Sequence, residues 1–204
     1  MQKKEWGARG ASSLAPRTAP LIRPWRRTAT RTLIQDRWLH LRADTWVMGS
    51  GRVLDPWYML DWHDWVHVAA LTADDRLVLV RQFRPGAGAA VLELPGGIME
   101  PEETDLLAVA RRELREETGF DAAELLPVTA LSPEPAHAAN RGHFVLGLGA
   151  AAAGAQALDA GEEIAVEVLP VPEVLAGLSQ GLIGNASHVG GLLLALRQAG
   201  RVRF

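Results

Sequence analysis

The chain contains no cysteine among its 204 residues. That excludes disulfides, thiolate metal centres and cysteine nucleophiles, and it accords with a reducing compartment, so a cytoplasmic location is expected. Long hydrophobic runs are missing too. No apolar stretch approaches the ~20 residues needed to cross a bilayer, and the segment from Gly190 to Leu196 is short and carries two glycines. No membrane partner is expected. Internal repeats are absent, and the composition is not that of a disordered chain. Basic charge is scarce outside the N-terminal segment. Residues 1–31 hold eight basic side chains and one acidic one, a balance of +7, whereas the remainder holds 13 basic and 23 acidic ones, a balance of −10. An acidic body offers no surface that would extend a basic arm into a nucleic-acid interface, and it suits a protein that collects divalent cations.

Hydrophobic residues make up 48% of the chain, enough for a real core. Its length suits one domain with an appended segment. Residues 1–30 read as a basic, flexible tail, with an arm on a partner subunit or a transit peptide as the other readings. Trp6, Trp25 and several prolines interrupt any long amphipathic helix there. Residues 31–60 read as a β extension, with Leu33, Trp38, Leu39, Leu41 and Trp46-Val47 among polar residues and Gly49-Ser50-Gly51 as a turn. Residues 61–204 read as the main domain. Six of the seven tryptophans precede residue 63. Trp38, Trp46, Trp57, Trp62 and Trp65 read as core and dimer-interface material, and Trp38 is the candidate if one stacks an adenine.

Within the main domain, Val66 to Leu71 and Leu77 to Val80 form a predicted β-hairpin. Val91 to Leu94 is a further strand, stopped by Pro95-Gly96-Gly97. A helix follows from about Asp105 to Thr118, with Thr104 as N-cap and Gly119 at its C-terminus. Strands near Leu125 to Leu131 and His143 to Leu148 flank a loop, and Ala150 to Gly161 reads as a flexible connection. Ile164 to Leu169 alternates as a strand. Two helices close the chain, from about Pro172 and from about Ala186, the latter capped by Asn185. The order suggests a mixed sheet covered by helices. No histidine has a ligand spacing, and His67, in an alternating strand, reads as structural.

The helix carries the chemistry. At ~100° per residue, Leu107, Ala110 and Leu114 form an apolar stripe, and Glu113, Glu116 and Glu117, at i, i+3 and i+4, converge beside it. One reading is a charged face relieved by Arg111, Arg112 and Arg115. The other is a magnesium site, because a hard cation seeks several oxygen ligands. The acids adjoin the buried stripe, and the preceding loop adds Glu100, Glu102 and Glu103. Arg112 can reach Glu116 at i+4 and hold its orientation.

The run Gly97-Ile98-Met99-Glu100-Pro101-Glu102-Glu103, continued by Arg112-Glu113-Leu114-Arg115-Glu116-Glu117-Thr118-Gly119-Phe120, resembles the Nudix box of the Nudix hydrolases. Its second half matches completely. In the first half, eight residues, Thr104 to Arg111, separate Glu103 from Arg112. That is one residue more than the family's spacing, and the extra residue is placed at the loop-to-helix junction. Arg81-Gln82-Phe83-Arg84-Pro85, Leu92-Glu93-Leu94-Pro95-Gly96-Gly97, Gly161-Glu162-Glu163-Ile164 and Gly181-Leu182-Ile183 are similar to the ADP-ribose pyrophosphatase branch.

The resemblance implies an α/β/α Nudix sandwich with a mixed sheet and an N-terminal antiparallel β extension that exchanges between subunits of a homodimer. It implies Mg2+, with Mn2+ as the alternative, held by Gly96, Glu113, Glu116 and Glu117. Arg84 and Glu93 would contact substrate. Glu162, Glu163 and Arg112 would serve catalysis, with Glu162 slightly favoured as base and Glu134 as its competitor. The implied reaction is hydrolysis of a nucleoside diphosphate linked to another moiety, foremost ADP-ribose or a nucleotide sugar. The alternatives are NADH, a dinucleoside polyphosphate or an oxidised nucleotide as substrate, or a non-catalytic ADP-ribose sensor.

Overall fold

The computed structural model describes residues 22–37, 39–100 and 102–204. Trp38 and residues 1–21 of the expected tail lie outside the described residues. The described chain divides into two compact units, one of residues 22–31 and 43–57, the other of residues 32–42 and 58–204. Strands β1 (Arg26–Gln35), β2 (His40–Val47) and β3 (Val53–Asp61) form a three-stranded sheet in that order. Strand β1 therefore begins inside the stretch assigned to the tail, whereas β3 lies within the stretch read as the β extension but for its last residue, Asp61. Alternating Thr28, Thr30 and Thr32 explain β1: branched at Cβ, they favour extended backbone, and Thr30 donates to the buried Asp44 at 2.5 Å. In the first unit Trp25 and Trp57 also meet edge to face, 5.7 Å between ring centroids.

The larger unit is built on an eight-stranded mixed sheet. Its main path is β11 (Ile164–Pro170), β5 (Arg76–Arg84), β4 (Asp64–Thr72), β10 (Gly142–Ala152) and β8 (Phe120–Asp121). Strands β6 (Ala89–Glu93), β7 (Gly96–Met99) and β9 (Glu124–Leu131) pair with β5, β4 and β10 respectively. Only β4 and β10 run parallel among these pairs, from Gly142↔Trp65 to Ala150↔Thr72. Both faces of β4 are buried, which is why its sequence is a continuous apolar run. Val66, Val68 and Ala70 pack on one face with Val109, Ala110 and Leu114 of α1 (Leu106–Thr118). Ala69 and Leu71 pack on the other with Val174 of α2 (Val171–Leu178) and Leu192, Ala195 and Leu196 of α3 (Ala186–Gln198). This period-2 division makes the unit an α/β/α sandwich.

Asp105, not Thr104, caps α1. Its carboxylate accepts from the Leu107 and Ala108 N–H groups at 3.0 and 3.1 Å, and a negative group there also suits the helix dipole. Gly119 ends the helix in the left-handed conformation at φ 71°, its N–H bonded to Arg115 O. The stretch from Ala150 to Gly161 is not a free connection. Strand β10 runs to Ala152. Beyond it, the Ala157 N–H donates to Glu116 O, and the Gln156 side chain donates to Glu117 O at 2.6 Å and Ile164 O at 3.2 Å. The last carbonyls of a helix need donors from outside it, and this segment supplies them.

Candidate active site

Gly96 and Gly97 do not simply stop a strand. They open β7, which pairs antiparallel with β4. A Cβ on Gly96 would run into Val66 O, and one on Gly97 into the carboxylate of Glu113. Only glycine lets β7 pass between β4 and α1, and the Gly96 N–H then donates to Glu117 Oε2 at 2.7 Å.

Two of the three acids on this face of α1, Glu113 and Glu117, thus meet backbone, whereas the Glu116 side chain is 42% exposed. Glu113 and Glu117 are 8% and 5% exposed. Burial raises both carboxyls above their ordinary range. For Glu113 the ion pair with Arg112 opposes the rise. For Glu117 the Gly96 N–H opposes it, yet burial with the charges of Glu113 and Glu162 carries the group to about 8. Arg112 sits at the centre, 2.8 Å from Glu113 Oε1, 2.9 Å from Glu116 Oε2 and 3.2 Å from Glu103 Oε1. Glu103 therefore reaches Arg112 despite the extra residue. The Asp105 cap lets α1 start at Leu106, and Glu103 Oε2 turns back to the Glu100 N–H at 2.9 Å.

Glu103, Glu113, Glu116, Glu117 and Glu162 line one cavity of about 470 Å3. Glu162 is held there by the Asp159 N–H, 2.9 Å from its Oε2. Glu163, expected beside it, is exposed and does not line the cavity; in extended chain, neighbouring side chains point to opposite sides. Glu134 lies elsewhere too, its Oε1 accepting from the Ala136 N–H. Arg84, on β5, donates to Glu93 Oε2, on β6, at 2.7 Å, and Glu93 is buried.

No three His, Asp or Glu side chains among the described residues stand as a ready-made metal set. Glu113 and Glu116 rest on Arg112, and Glu117 rests on the Gly96 N–H. The residues nevertheless fit a hard divalent cation. They are all oxygen donors, two of them are buried at a cost that a cation would relieve, and Glu113 occupies the space that the missing Gly97 Cβ leaves.

A second cavity of about 850 Å3 shares Trp65, Arg84 and Ile98 with the first. Trp62 and Trp65 line it and are not core residues; Trp62 is 46% exposed. His67 also lines it, its ring 4.2 Å from that of His188 on α3. His188 was set aside in the sequence for want of a ligand spacing, and Asn140 and Asp159 were not singled out there, since no spacing or repeat marks them.

The NUDIX domain family profile matches residues 62–185, more than half of the chain. The chain belongs to the NUDIX domain family. Among its relatives, the ADP-ribose pyrophosphatase of Bacillus subtilis (strain 168) is 37% identical over 82 residues, 40% of this chain and 43% of that protein. The ADP-sugar pyrophosphatase of Mus musculus is 44% identical over 59 residues, 28% of this chain and 27% of that protein. The matched stretches thus span less than half of either relative. A crystal structure of an ADP compounds hydrolase superimposes with a TM-score of 0.78 at 21% identity, covering 90% of this chain and all of that one, which establishes the fold.

Proposed function

We propose that this chain is a divalent-cation-dependent hydrolase of the diphosphate bond in a nucleoside diphosphate linked to another moiety. ADP-ribose or a nucleotide sugar is the substrate, and a nucleoside monophosphate and a sugar phosphate are the products. The observation that supports this most is the gathering of seven acidic residues around one cavity that adjoins a larger one across Trp65, Arg84 and Ile98. The activities named for the two relatives point the same way.

Glu113, Glu116 and Glu117, with the Gly96 carbonyl, would hold Mg2+ or Mn2+. When bound, such a cation offsets the diphosphate charge and makes water easier to deprotonate. Arg112 keeps Glu113 and Glu116 in place. Arg84, anchored by Glu93, lines both cavities and orients the diphosphate. Glu162 takes the proton of the attacking water as its oxygen bonds to phosphorus. The bridging P–O bond breaks, and its electron pair leaves on the departing phosphate. Metal ligands are poor bases, because coordination occupies their lone pairs, so the role falls to a residue beside them.

A homodimer belongs to this reading. Every residue of β1 is exposed in the single chain, Leu33 and Ile34 among them, and such an edge invites a partner. A cytoplasmic setting, with nucleotide substrates at hand, belongs to it as well. The test is a screen of nucleoside-diphosphate-linked compounds for monophosphate release, with and without Mg2+. Release is expected only with the cation and is expected to fall by several orders of magnitude in Glu116→Gln. Near-normal turnover of that variant at saturating Mg2+ would refute the ligand assignment.

A further inference from the structure

The segment that brings Glu162 to the acid-lined cavity is tied down by one side chain. Gln156 Nε2 donates to Glu117 O at 2.6 Å and to Ile164 O at 3.2 Å. Both partners are carbonyls, so the amide nitrogen has to face them; turned over, its oxygen would oppose two acceptors. Ile164 opens β11, where it pairs with Gln82 of β5, and Glu117 lies in the last turn of α1. One amide therefore joins the entry of the 156–164 segment, its exit and the end of the helix. The Ala157 N–H adds a bond to Glu116 O at 2.9 Å.

Within these anchors the chain forms a closed turn. The Glu162 N–H donates to Asp159 O, and the Asp159 N–H donates back to Glu162 Oε2, both at 2.9 Å. The turn fixes the direction of the Glu162 carboxylate, while the anchors fix where the turn stands. A cap for the helix would need only the bond to Glu117. The bond to Ile164, eight positions further on, serves the loop instead, by closing it. The acceptors on the helix matter as well. Glu116 and Glu117 carry carboxylates of the cation site, so their backbone and the Glu162 turn are held at one separation. Gln156 itself lines neither cavity.

We propose that Gln156 is a positioning residue for the hydrolysis, acting through Glu162 by holding the turn that carries it beside the cation-binding carboxylates. The role rests on the function proposed above, in which Glu162 takes the proton of the attacking water. A proton acceptor works only within hydrogen-bond reach of that water, and small misplacements of reacting groups are costly. The Ala/Gly-rich chain before Gln156 offers little side-chain packing to hold the loop, so the amide supplies the restraint.

Gln156→Met keeps the length of the side chain and removes both donors, and Gln156 is exposed, so the core is untouched. Two measurements on the full chain test the proposal. With ADP-ribose and Mg2+, kcat should fall about tenfold, the worth of the two hydrogen bonds, while KM and Mg2+ affinity stay within about twofold. In a Glu162→Gln background the same change should lower kcat no further, because nothing remains to be positioned. A merely structural role would lower kcat alike in both backgrounds. Amide hydrogen exchange across residues 157–163, read without substrate, should be about tenfold faster in Gln156→Met. Unchanged exchange, unchanged kcat, or losses that multiply in the double variant would overturn the proposal and leave the proposed reaction standing. A wild-type protein that hydrolyses neither ADP-ribose nor a nucleotide sugar, or a Glu162→Gln protein with normal turnover, would overturn the reaction or its base, and the positioning role with it.

Discussion

Replacing Gly97 and Gly96 by alanine, one at a time, separates the fold from the metal site. At Gly97 the three atoms nearest the added methyl all belong to the Glu113 carboxylate, the far end of a flexible side chain. The fold can yield there, and loss of glycine's freedom in the unfolded chain stabilises by about 0.4–1 kcal/mol where the backbone is compatible. The carboxylate, however, must leave its place over β7. Metal ligands tolerate displacements of only about 0.2 Å, and disturbing even the groups behind a ligand weakens metal binding by about 10–100-fold. Gly97→Ala should therefore melt within a few degrees of wild type while losing at least that factor in Mg2+ affinity. At Gly96 the methyl meets the Val66 carbonyl and the His67 Cα, both backbone. There β7 must separate from β4, at the roughly 1–3 kcal/mol or more that overpacking costs, and the Gly96 N–H is drawn from Glu117. Thermal denaturation and calorimetric Mg2+ titration of both variants measure the contrast. A Gly97→Ala protein with unchanged Mg2+ affinity would show that Glu113 is not a ligand. An undestabilised Gly96→Ala protein would show that the two strands do not approach as described.

Two further outcomes are expected. Glu162→Gln should lower kcat by about 100-fold or more, the usual worth of a positioned base, and leave Mg2+ affinity within a few-fold, whereas the exposed Glu163→Gln should behave as wild type; the reverse order in the same assays would assign the base wrongly. His188, held near 4 by burial against an ordinary 6.5, takes up its proton in the unfolded chain first. Its contribution to stability is complete above pH 6.5 and is lost as pH falls towards 4. Over that window wild type should lose about 3 kcal/mol relative to His188→Gln, measured as denaturant unfolding of both proteins; parallel pH profiles would contradict the buried neutral imidazole.

Much of the larger unit was legible in the chain. Val66 to Leu71, Leu77 to Val80 and Ile164 to Leu169 all lie within strands, and Asn185 does cap the last helix, its Oδ1 taking the Ser187 N–H at 3.0 Å. Errors fell where a tertiary partner outweighed a local signal. Pro95-Gly96-Gly97 looked like a stop because glycine is poor in strands, yet glycine was required there by the close approach of β4 and α1. The Ala150 to Gly161 stretch looked mobile because it is Ala/Gly-rich, yet it answers the carbonyls at the end of α1. Thr104 and Asp105 are both good caps, and only the path of the chain chose between them.

The sequence by itself determined the carboxylate set. Residues at i, i+3 and i+4 share a helical face whatever surrounds the helix, so Glu113, Glu116 and Glu117 could be grouped without coordinates. It equally determined that Arg112 would reach Glu116. The tertiary structure alone decided what those acids face, that Glu162 and not Glu163 joins them, and that a second cavity opens beside them. That cavity takes its walls from β4, β6, the loop before β10 and the start of α3, and Leu94 meets His188 across 94 positions of sequence. Helical spacing is a local property of the backbone, whereas a cavity depends on strand order and register, which no short segment encodes.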